Sequence, residues 1–466
     1  MSTFKIFNQY IRVPFLILGL FEGVILYASV FLAAYLRFAE NIKYFDPGLG
    51  RLEGHALVFA IVMSIGFIAM GLYQARMRDG VRGILLRLGF GYFFGMMMLA
   101  MIFYILPKLY LGRGIIVIAI ISSFVVICIL RLLFFKIKSD IFKRKVLVLG
   151  AGEKAQTISQ LRRKSDRAGF DLFGYVHVRG TEDKVNSKNI ISLNSPLKEF
   201  CEKNEIDEII LAIDDRRKNF PTQELLDCKM SGINVIDLAS FFERETGKVK
   251  LDLIQPSWLI FGAGFHNGSF HQVIKRIFDI VVCLCLLCVT WPLMLIAAIG
   301  IKIEDGLNAP VFYKQIRIGE DGKPYYVLKF RSMSVDAEKD GKARWAKKHD
   351  NRVTKIGAFI RKTRIDELPQ IFNVIKADMS FVGPRPERPE FVIKLSEKIP
   401  YYSERHRIKP GITGWAQICY PYGSSDKDSI EKLQYDLYYI KNYSLLLDIM
   451  IMLQTAEVVI LGKGAR

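Results

Sequence analysis

The first third of the chain carries four apolar segments, residues 14–36, 55–73, 86–106 and 114–135, each close to the ~20 residues a helix needs to cross a bilayer. Hydrocarbon offers the backbone no hydrogen-bond partner, so such segments are confined to helices. A cleaved leader is not expected, because three similar segments follow the first and its apolar run is too long. Basic residues orient the segments. Lys5 and Arg12 precede the first. Arg76, Arg78, Arg82 and Arg87, against a single Asp79, separate the second from the third, and Lys136, Lys138, Lys143, Arg144 and Lys145 follow the fourth. The first outer loop is balanced, with Arg37, Lys43 and Arg51 set against Glu40, Asp46 and Glu53. The amino terminus and everything after Phe135 are expected in the cytoplasm. Residues 1–138 are read as a four-helix transmembrane unit.

From Lys145 the pattern changes to alternating strands and helices. Strand-like runs at 146–149, 172–178, 208–213 and 232–236 follow the grammar of a doubly wound α/β domain, placed at 139–245. The turn Gly150-Ala151-Gly152-Glu153-Lys154-Ala155 resembles a dinucleotide fingerprint, in which Gly150 and Gly152 let phosphates approach a helix start. No acidic residue closes the second strand, where Val178 and Arg179 stand, so NAD lacks its ribose contact. A Rossmann-like module with a structural or regulatory role is the preferred reading, and residues 246–274 are read as a linker.

A fifth apolar run, about 277–301, has cations at both ends: Lys275 and Arg276 before it, Lys302, Lys314 and Arg317 after it. A full span would place one basic flank on the wrong side. Pro292 interrupts the run by removing a backbone donor. A helix broken there enters one leaflet and leaves by the same face, with Thr290 near the break to satisfy backbone; the alternative is a kinked span. Residues 444–461 are apolar but hold Asp448, Gln454 and Glu457, which suits a helix lying in the membrane interface. Cys283, Cys285 and Cys288 sit among Leu and Val and are read as reduced packing groups. The net charge of +19 favours anionic headgroups and phosphate-bearing substrates over nucleic acid, for which no basic helix interleaved with aromatics exists.

Between residues 312 and 417 three polar clusters stand out. Lys329-Phe330-Arg331-Ser332-Met333 ends a strand-like run, where its cations face a diphosphate or merely solvent. Arg361-Lys362-Thr363-Arg364-Ile365-Asp366-Glu367-Leu368-Pro369-Gln370 places two carboxylates side by side. Neighbours on a helix point about 100° apart, and Pro369 disfavours helix at Leu368, so the pair is expected beside a turn or helix start. The alternative is a solvated helix end with incidental ion pairs. Val382-Gly383-Pro384-Arg385-Pro386-Glu387 is a stiffened loop presenting an arginine fork suited to phosphate, or a plain surface turn. Lys409-Pro410-Gly411-Ile412-Thr413-Gly414-Trp415-Ala416-Gln417 adds a second rigid loop.

In this order, with the interrupted apolar helix, these motifs resemble the monotopic phosphoglycosyl transferases that act on polyprenyl phosphates, over about residues 275–466. The preceding helices and Rossmann-like module resemble the long form of that family, found in exopolysaccharide and capsule assembly. The stretch from Asp214-Asp215-Arg216-Arg217 to Pro256-Ser257-Trp258-Leu259-Ile260 resembles members linked to exosortase-type loci. The resemblance implies a membrane protein of α plus α/β class: a four-helix transmembrane bundle, a Rossmann-like module, and a catalytic domain with a re-entrant helix and interfacial amphipathic helices. It implies Asp366 as nucleophile and Glu367 as its partner, the two carboxylates holding Mg2+. Arg361, Arg385, Lys329 and Arg331 fall on positions expected to meet substrate phosphate, and Pro292 on the re-entrant break, though here it follows Thr290-Trp291 where relatives often have Ser-Pro. The implied substrates are a UDP-sugar and undecaprenyl phosphate in membrane lipid, with UMP released. The implied location is the bacterial inner membrane, catalytic domain on its cytoplasmic face. Large membrane and α/β surfaces are compatible with a homodimer. Two rivals stand beside this reading: a membrane glycosyltransferase releasing UDP, and a non-catalytic scaffold binding a nucleotide at the Gly150–Ala155 turn.

Overall fold

A computed structural model describes residues 3–6, 9–38, 49–73, 81–137, 143–161, 164–167, 169–178, 182–215, 220–254, 268–334, 352–420, 423 and 425–460. Glu40, Lys43, Asp46, Arg76, Arg78, Asp79, Lys138, Arg179, Arg216, Arg217 and residues 256–260 lie outside the described residues, as do the side chains of Lys5, Arg12, Arg51, Arg82, Lys136 and Glu457. The chain divides into two compact units, Met1–Thr246 and Gly247–Arg466.

The first unit opens with an antiparallel hairpin, β1 (Thr3–Ile6) and β2 (Gln9–Arg12), that the sequence did not announce. Helices α1 (Val13–Phe38), α2 (Leu49–Ala69), α3 (Val81–Ile105) and α4 (Arg113–Ile137) cover the four apolar segments. Three of these are long and apolar enough to cross a membrane, at Pro14–Phe38, Gly83–Ile105 and Arg113–Phe134; in α2 the apolar stretch, Leu52–Ile68, is shorter. A buried ion pair ties the bundle. Glu22 of α1, fully buried, accepts from Arg131 Nη2 of α4 through Oε2 at 2.7 Å, and its Oε1 lies 2.6 Å from Arg131 Nε. The Tyr73 hydroxyl donates to the same carboxylate, and a further Arg131 nitrogen reaches the Leu72 carbonyl at 3.1 Å, just past α2. Charges at membrane depth persist only when so completely paired.

The α/β module contains β3 (Arg144–Leu149), α5 (Glu153–Ser159), α6 (Lys164–Arg167), β4 (Phe170–Val176), β5 (Ile190–Ile191), α7 (Leu197–Lys203), β6 (Glu208–Leu211), α8 (Thr222–Met230), β7 (Asn234–Asp237) and α9 (Leu238–Thr246). Its strands run parallel in the order β5-β4-β3-β6-β7, the doubly wound arrangement expected. Strand β5, two residues long, was not read from the sequence. Continuous apolar strands bury Leu147, Leu149 and Ile209 against α7 and α8, where Cys201 and Cys228 pack as small apolar groups. All seven cysteines are free thiols.

The second unit contains α10 (Ser269–Asp305), β8 (Phe312–Ile318), β9 (Pro324–Phe330), α11 (Lys355–Lys362), α12 (Gln370–Ile375), β10 (Ser380–Val382), α13 (Pro389–Lys398), β11 (Gly411–Thr413), α14 (Trp415–Cys419), α15 (Asp426–Lys441) and α16 (Leu445–Ile460). Part of the segment read as a linker is core here. Val249 is buried among Tyr402, Trp415 and Tyr435, its amide bonded to the Gln434 carbonyl, while the Trp415 indole donates to the Gly247 carbonyl at 2.9 Å.

Helix α10 departs from expectation in one respect: it runs unbroken through Pro292 for 37 residues. Thr290 donates to the Leu286 carbonyl, one turn back, rather than to the Cys288 carbonyl that Pro292 leaves without an amide. Such back-bonding satisfies the hydroxyl and favours bending. At ~1.5 Å per residue the helix is about 55 Å long, well beyond the ~30 Å of hydrocarbon. Both of its ends are bound to the same unit. Lys275 pairs with Asp448 at 2.7 Å and Arg276 caps the end of α12 through the Val374 and Ile375 carbonyls. At the other end, Glu304 accepts the first amides of α11 and Asp305 pairs with Arg331 at 2.6 Å. Between them Cys283, Met294, Ala297 and Ile301 are buried on the domain, while Val289, Trp291 and Ile296 are exposed and apolar. By length and apolar composition this helix, over Phe270–Asp305, is also able to cross a membrane.

In α16 two of the polar side chains that suggested an interfacial helix, Asp448 and Gln454, are buried. Asp448 is fully buried between Lys275 and the Tyr439 hydroxyl, which donates at 2.6 Å, and Gln454 is buried too.

Truncating one partner of a buried pair leaves an uncompensated charge, about 3–5 kcal/mol. Glu22→Ala or Arg131→Leu alone is therefore expected to lower the thermal midpoint of the detergent-solubilised protein strongly, and Glu22→Leu with Arg131→Leu to recover much of it. Additive losses in a melting series would contradict a dedicated pair.

Candidate active site

Asp366 and Glu367 lie on a single 3-10 turn, Ile365–Glu367, between α11 and α12. Arg364 enters it with φ +61°, a left-handed conformation that reverses the chain after α11, and Pro369 precedes α12. The pair thus stands at a turn ahead of a helix start, as the proline required. Its flanks are apolar and anchored: Ile365 and Leu368 pack on the cluster of Met294, Ala297 and Ile301, and Leu368 also on that of Cys283, Val327 and Ile371. The turn is therefore seated directly on the apolar helix α10.

The two carboxylates occupy different electrostatic settings. Glu367 Oε1 accepts from Lys329 Nζ at 2.9 Å and from Arg385 Nη2 at 3.0 Å, with the Glu367 side chain 15% exposed. Burial opposes its charge, but the two cations overcome that and hold its carboxyl well below the usual range. Asp366 is driven the other way. Burial and the adjacent Glu367 charge push it up to about 6, against the pull of Lys329, Arg361 and Arg364. One ionised carboxylate thus sits beside one that titrates near neutrality.

Of the residues picked from sequence, Lys329, Arg361 and Arg385 come together around the pair. Lys329 reaches Glu367 from the end of β9 and Arg385 from the loop after β10, while Arg361, in the last turn of α11, bears on Asp366 through its charge. Arg331 does not join them: one residue past the end of β9 it pairs with Asp305 at 2.6 Å, is only 6% exposed, and holds the end of α10. Pro292 lies within α10 and contributes shape rather than a contact.

The loops are braced by each other. Strands β10 and β11 pair in parallel, Ser380 with Gly411 and Val382 with Thr413. A Cβ at Gly411 would come within 2.0 Å of the Gly383 amide nitrogen, so the two loops meet only because both positions are glycine. Sequence reading missed several supports. Asn373 accepts from the Leu328 amide at 2.9 Å and donates to the Tyr326 carbonyl at 2.7 Å, fastening α12 to β9 like an added strand. Its one signal was a polar residue on the buried face of a short helix. Arg405, Arg317 and Lys275, each engaging the 382–386 backbone, gave no signal, because their partners lie 20 to 107 residues away.

The glycine turn of the α/β module is closed. Asp214, past the end of β6, accepts from the Glu153 and Lys154 amides, both at 3.0 Å, and Lys154 Nζ grips the Ile213 and Asp214 carbonyls. A carboxylate of the chain itself stands where a dinucleotide phosphate would lie. Gly150 is explained by packing: φ is +119° and a Cβ would meet the Ala212 carbonyl at 2.5 Å. A Cβ at Gly152 would meet Asp214 Oδ2 at 1.8 Å.

A family model described as bacterial sugar transferase matches residues 270–462. The chain is 40% identical over 242 residues to the UDP-N-acetylgalactosamine-undecaprenyl-phosphate N-acetylgalactosaminephosphotransferase of Aeromonas hydrophila, covering 52% of this chain and 56% of that protein. It is 35% identical over 333 residues to the UDP-glucose:undecaprenyl-phosphate glucose-1-phosphate transferase of Klebsiella pneumoniae, 69% of each chain. To the undecaprenyl-phosphate galactose phosphotransferase of Salmonella typhimurium it is 30% identical over 356 residues, 70% of each.

Because the Glu367 charge raises Asp366, Glu367→Gln is expected to move the Asp366 titration to lower pH, and the released cations to push the same way. Titration of protein carrying 13C-labelled aspartate reads this directly. A midpoint that stays near 6 or rises would mean that the two groups do not sense each other.

Proposed function

The chain belongs to the bacterial sugar transferase family, and from that premise we propose that it transfers a sugar 1-phosphate from a UDP-sugar to undecaprenyl phosphate, releasing UMP. The observation that carries the reading is the pair itself: Glu367 fixed as an anion by Lys329 and Arg385, beside Asp366, on a turn seated against an apolar helix. This provides a carboxylate nucleophile at the level where a lipid phosphate and a cytosolic nucleotide sugar meet.

In the proposed sequence an Asp366 carboxylate oxygen attacks the sugar-bearing phosphorus. The bond from that phosphorus to the bridging oxygen breaks, and UMP leaves with the electron pair. A phosphate oxygen of undecaprenyl phosphate then attacks the aspartyl phosphosugar and displaces the Asp366 carboxylate. One phosphoanhydride is replaced by another, so no further energy source is required. Arg385 and Arg361 face the diphosphate, whose negative oxygens otherwise repel a carboxylate. Lys329 and Arg385 keep Glu367 from taking the proton that Asp366 must lose. Asp366 is active as the anion, so kcat/KM is expected to fall about tenfold per pH unit below the Asp366 titration and to level above it.

The donor set suits a hard divalent cation. Among the described residues no cluster of three or more His, Cys, Asp or Glu is present; magnesium, however, takes one or two carboxylates and completes its shell with water and substrate phosphate. Asp366 and Glu367, whose Oε1 binds the two cations, would hold it. When bound, the ion neutralises charge on the diphosphate. The proposed setting is the cytoplasmic face of a bacterial inner membrane, as the first membrane step of exopolysaccharide or capsule assembly.

Purified protein with undecaprenyl phosphate and a panel of UDP-N-acetylgalactosamine, UDP-glucose and UDP-galactose is expected to yield UMP with at least one donor. Asp366→Asn should cut turnover by about 10³-fold or more, as removal of a nucleophile does. Donor alone should add one sugar phosphate to the intact mass of the native protein and none to the variant. Release of UDP, or turnover retained in Asp366→Asn, would overturn the proposal.

A further inference from the structure

Four consecutive carbonyls in the loop bearing Arg385 are each captured. The Gly411 amide donates to Pro384 O at 2.9 Å and the Ile318 amide to Glu387 O at 3.0 Å. Between them, Arg405 Nη2 donates to Arg385 O at 2.9 Å and Arg317 Nη1 to Pro386 O at 3.0 Å. The outer two donors are backbone that any residue supplies; the inner two are arginine side chains from distant elements.

Both arginines are themselves fixed. Arg405 is buried, pairs with Asp436 of α15 at 2.9 Å, and donates to the Tyr402 hydroxyl at 2.7 Å. Arg317, on β8, donates from Nε to Gln315 Oε1 at 3.0 Å and has the Glu387 carboxylate at 3.7 Å. Among the described contacts neither reaches Asp366 or Glu367. Their shared target is the backbone on either side of the Arg385–Pro386 peptide.

We infer that Arg405 and Arg317 are positioning residues for Arg385 in the proposed transfer, on which this inference rests. A long arginine side chain holds its fork on a carboxylate or phosphate only as well as its own backbone is held. Charge-assisted bonds in a partly buried setting are the strong means of holding it. With carbonyls 384–387 all engaged, the backbone that carries the Arg385 side chain is held on both sides. Arg385 then stays on Glu367 and is aimed at the arriving diphosphate without reorganisation, the condition under which a preset charge lowers a barrier.

A double-mutant cycle tests this. Arg405→Met, Arg405→Lys and Arg317→Gln are made in the native protein and in Arg385→Lys, and kcat and KM are read from nucleotide release. In the native background Arg405→Met and Arg317→Gln should each lower kcat about tenfold, with KM for the donor changed far less, the scale expected for a misplaced catalytic group. Arg405→Lys, which keeps a donor for the carbonyl, should fall between. In the Arg385→Lys background the same changes should add little, because the residue they position is already altered. Losses that multiply in that background, or an unchanged kcat, would overturn the inference. If Arg405→Met does not fold, Arg317→Gln, whose native side chain is 20% exposed, carries the cycle alone. The cycle requires only turnover of a nucleotide sugar, so UDP release by the native protein would sink the proposed reaction while leaving the positioning test readable.

Discussion

Leu368 packs at once on two clusters that draw on both halves of the long apolar helix: that of Cys283 and Val327 on one side, that of Met294 and Phe330 on the other. That contact fixes where the carboxylate pair can be. The turn from Ile365 to Leu368 has apolar ends and an acidic middle, and burying the ends against α10 presents Asp366 and Glu367 at its edge. Because α10 is bound to the domain at Lys275 and Arg276 and again at Glu304 and Asp305, the helix and the turn form one body. The polar site inherits the depth of the apolar helix.

On that seat the electrostatics differentiate two neighbouring acids. Adjacent carboxylates in a partly buried site cannot both remain charged without help, and the cations are unevenly shared. Lys329 and Arg385 converge on a single oxygen of Glu367, leaving Asp366 to bear burial and its neighbour's charge. Each cation arrives from a different element, so the asymmetry depends on β9, α12 and the 384–387 loop keeping register. Asn373, Arg317 and Arg405 supply that register through backbone contacts.

The α/β module shows how a fold can retain the outline of a ligand site without its vacancy. The strand order and glycine turn belong to a nucleotide-binding architecture, yet Asp214 takes the helix-start amides and Lys154 closes over it. At the other end of the sheet Arg144, Glu208, Arg244 and Glu245 form a buried network across β3, β6 and α9. The transmembrane bundle uses the same device at Glu22 and Arg131.

The helices, the parallel module and the acidic turn were legible in the sequence because each is written in local terms: apolar runs of bilayer length, strand–turn–helix alternation, a proline that stops a helix. Lys329, Arg361 and Arg385 were legible as motif cations, though Arg331 looked the same and went to Asp305, since nothing in the motif itself says which distant carboxylate each cation will meet. Asp448 and Gln454 read as surface polar groups because a one-dimensional pattern cannot tell water from a buried lysine. The unbroken course of α10, the burial of Asp448 and Gln454 in α16, the occupant of the glycine turn and the arginines that hold the 384–387 loop were decided only by tertiary structure. Each rests on partners tens of residues apart, and a side chain carries no record in its own sequence neighbourhood of which distant carbonyl or carboxylate will meet it.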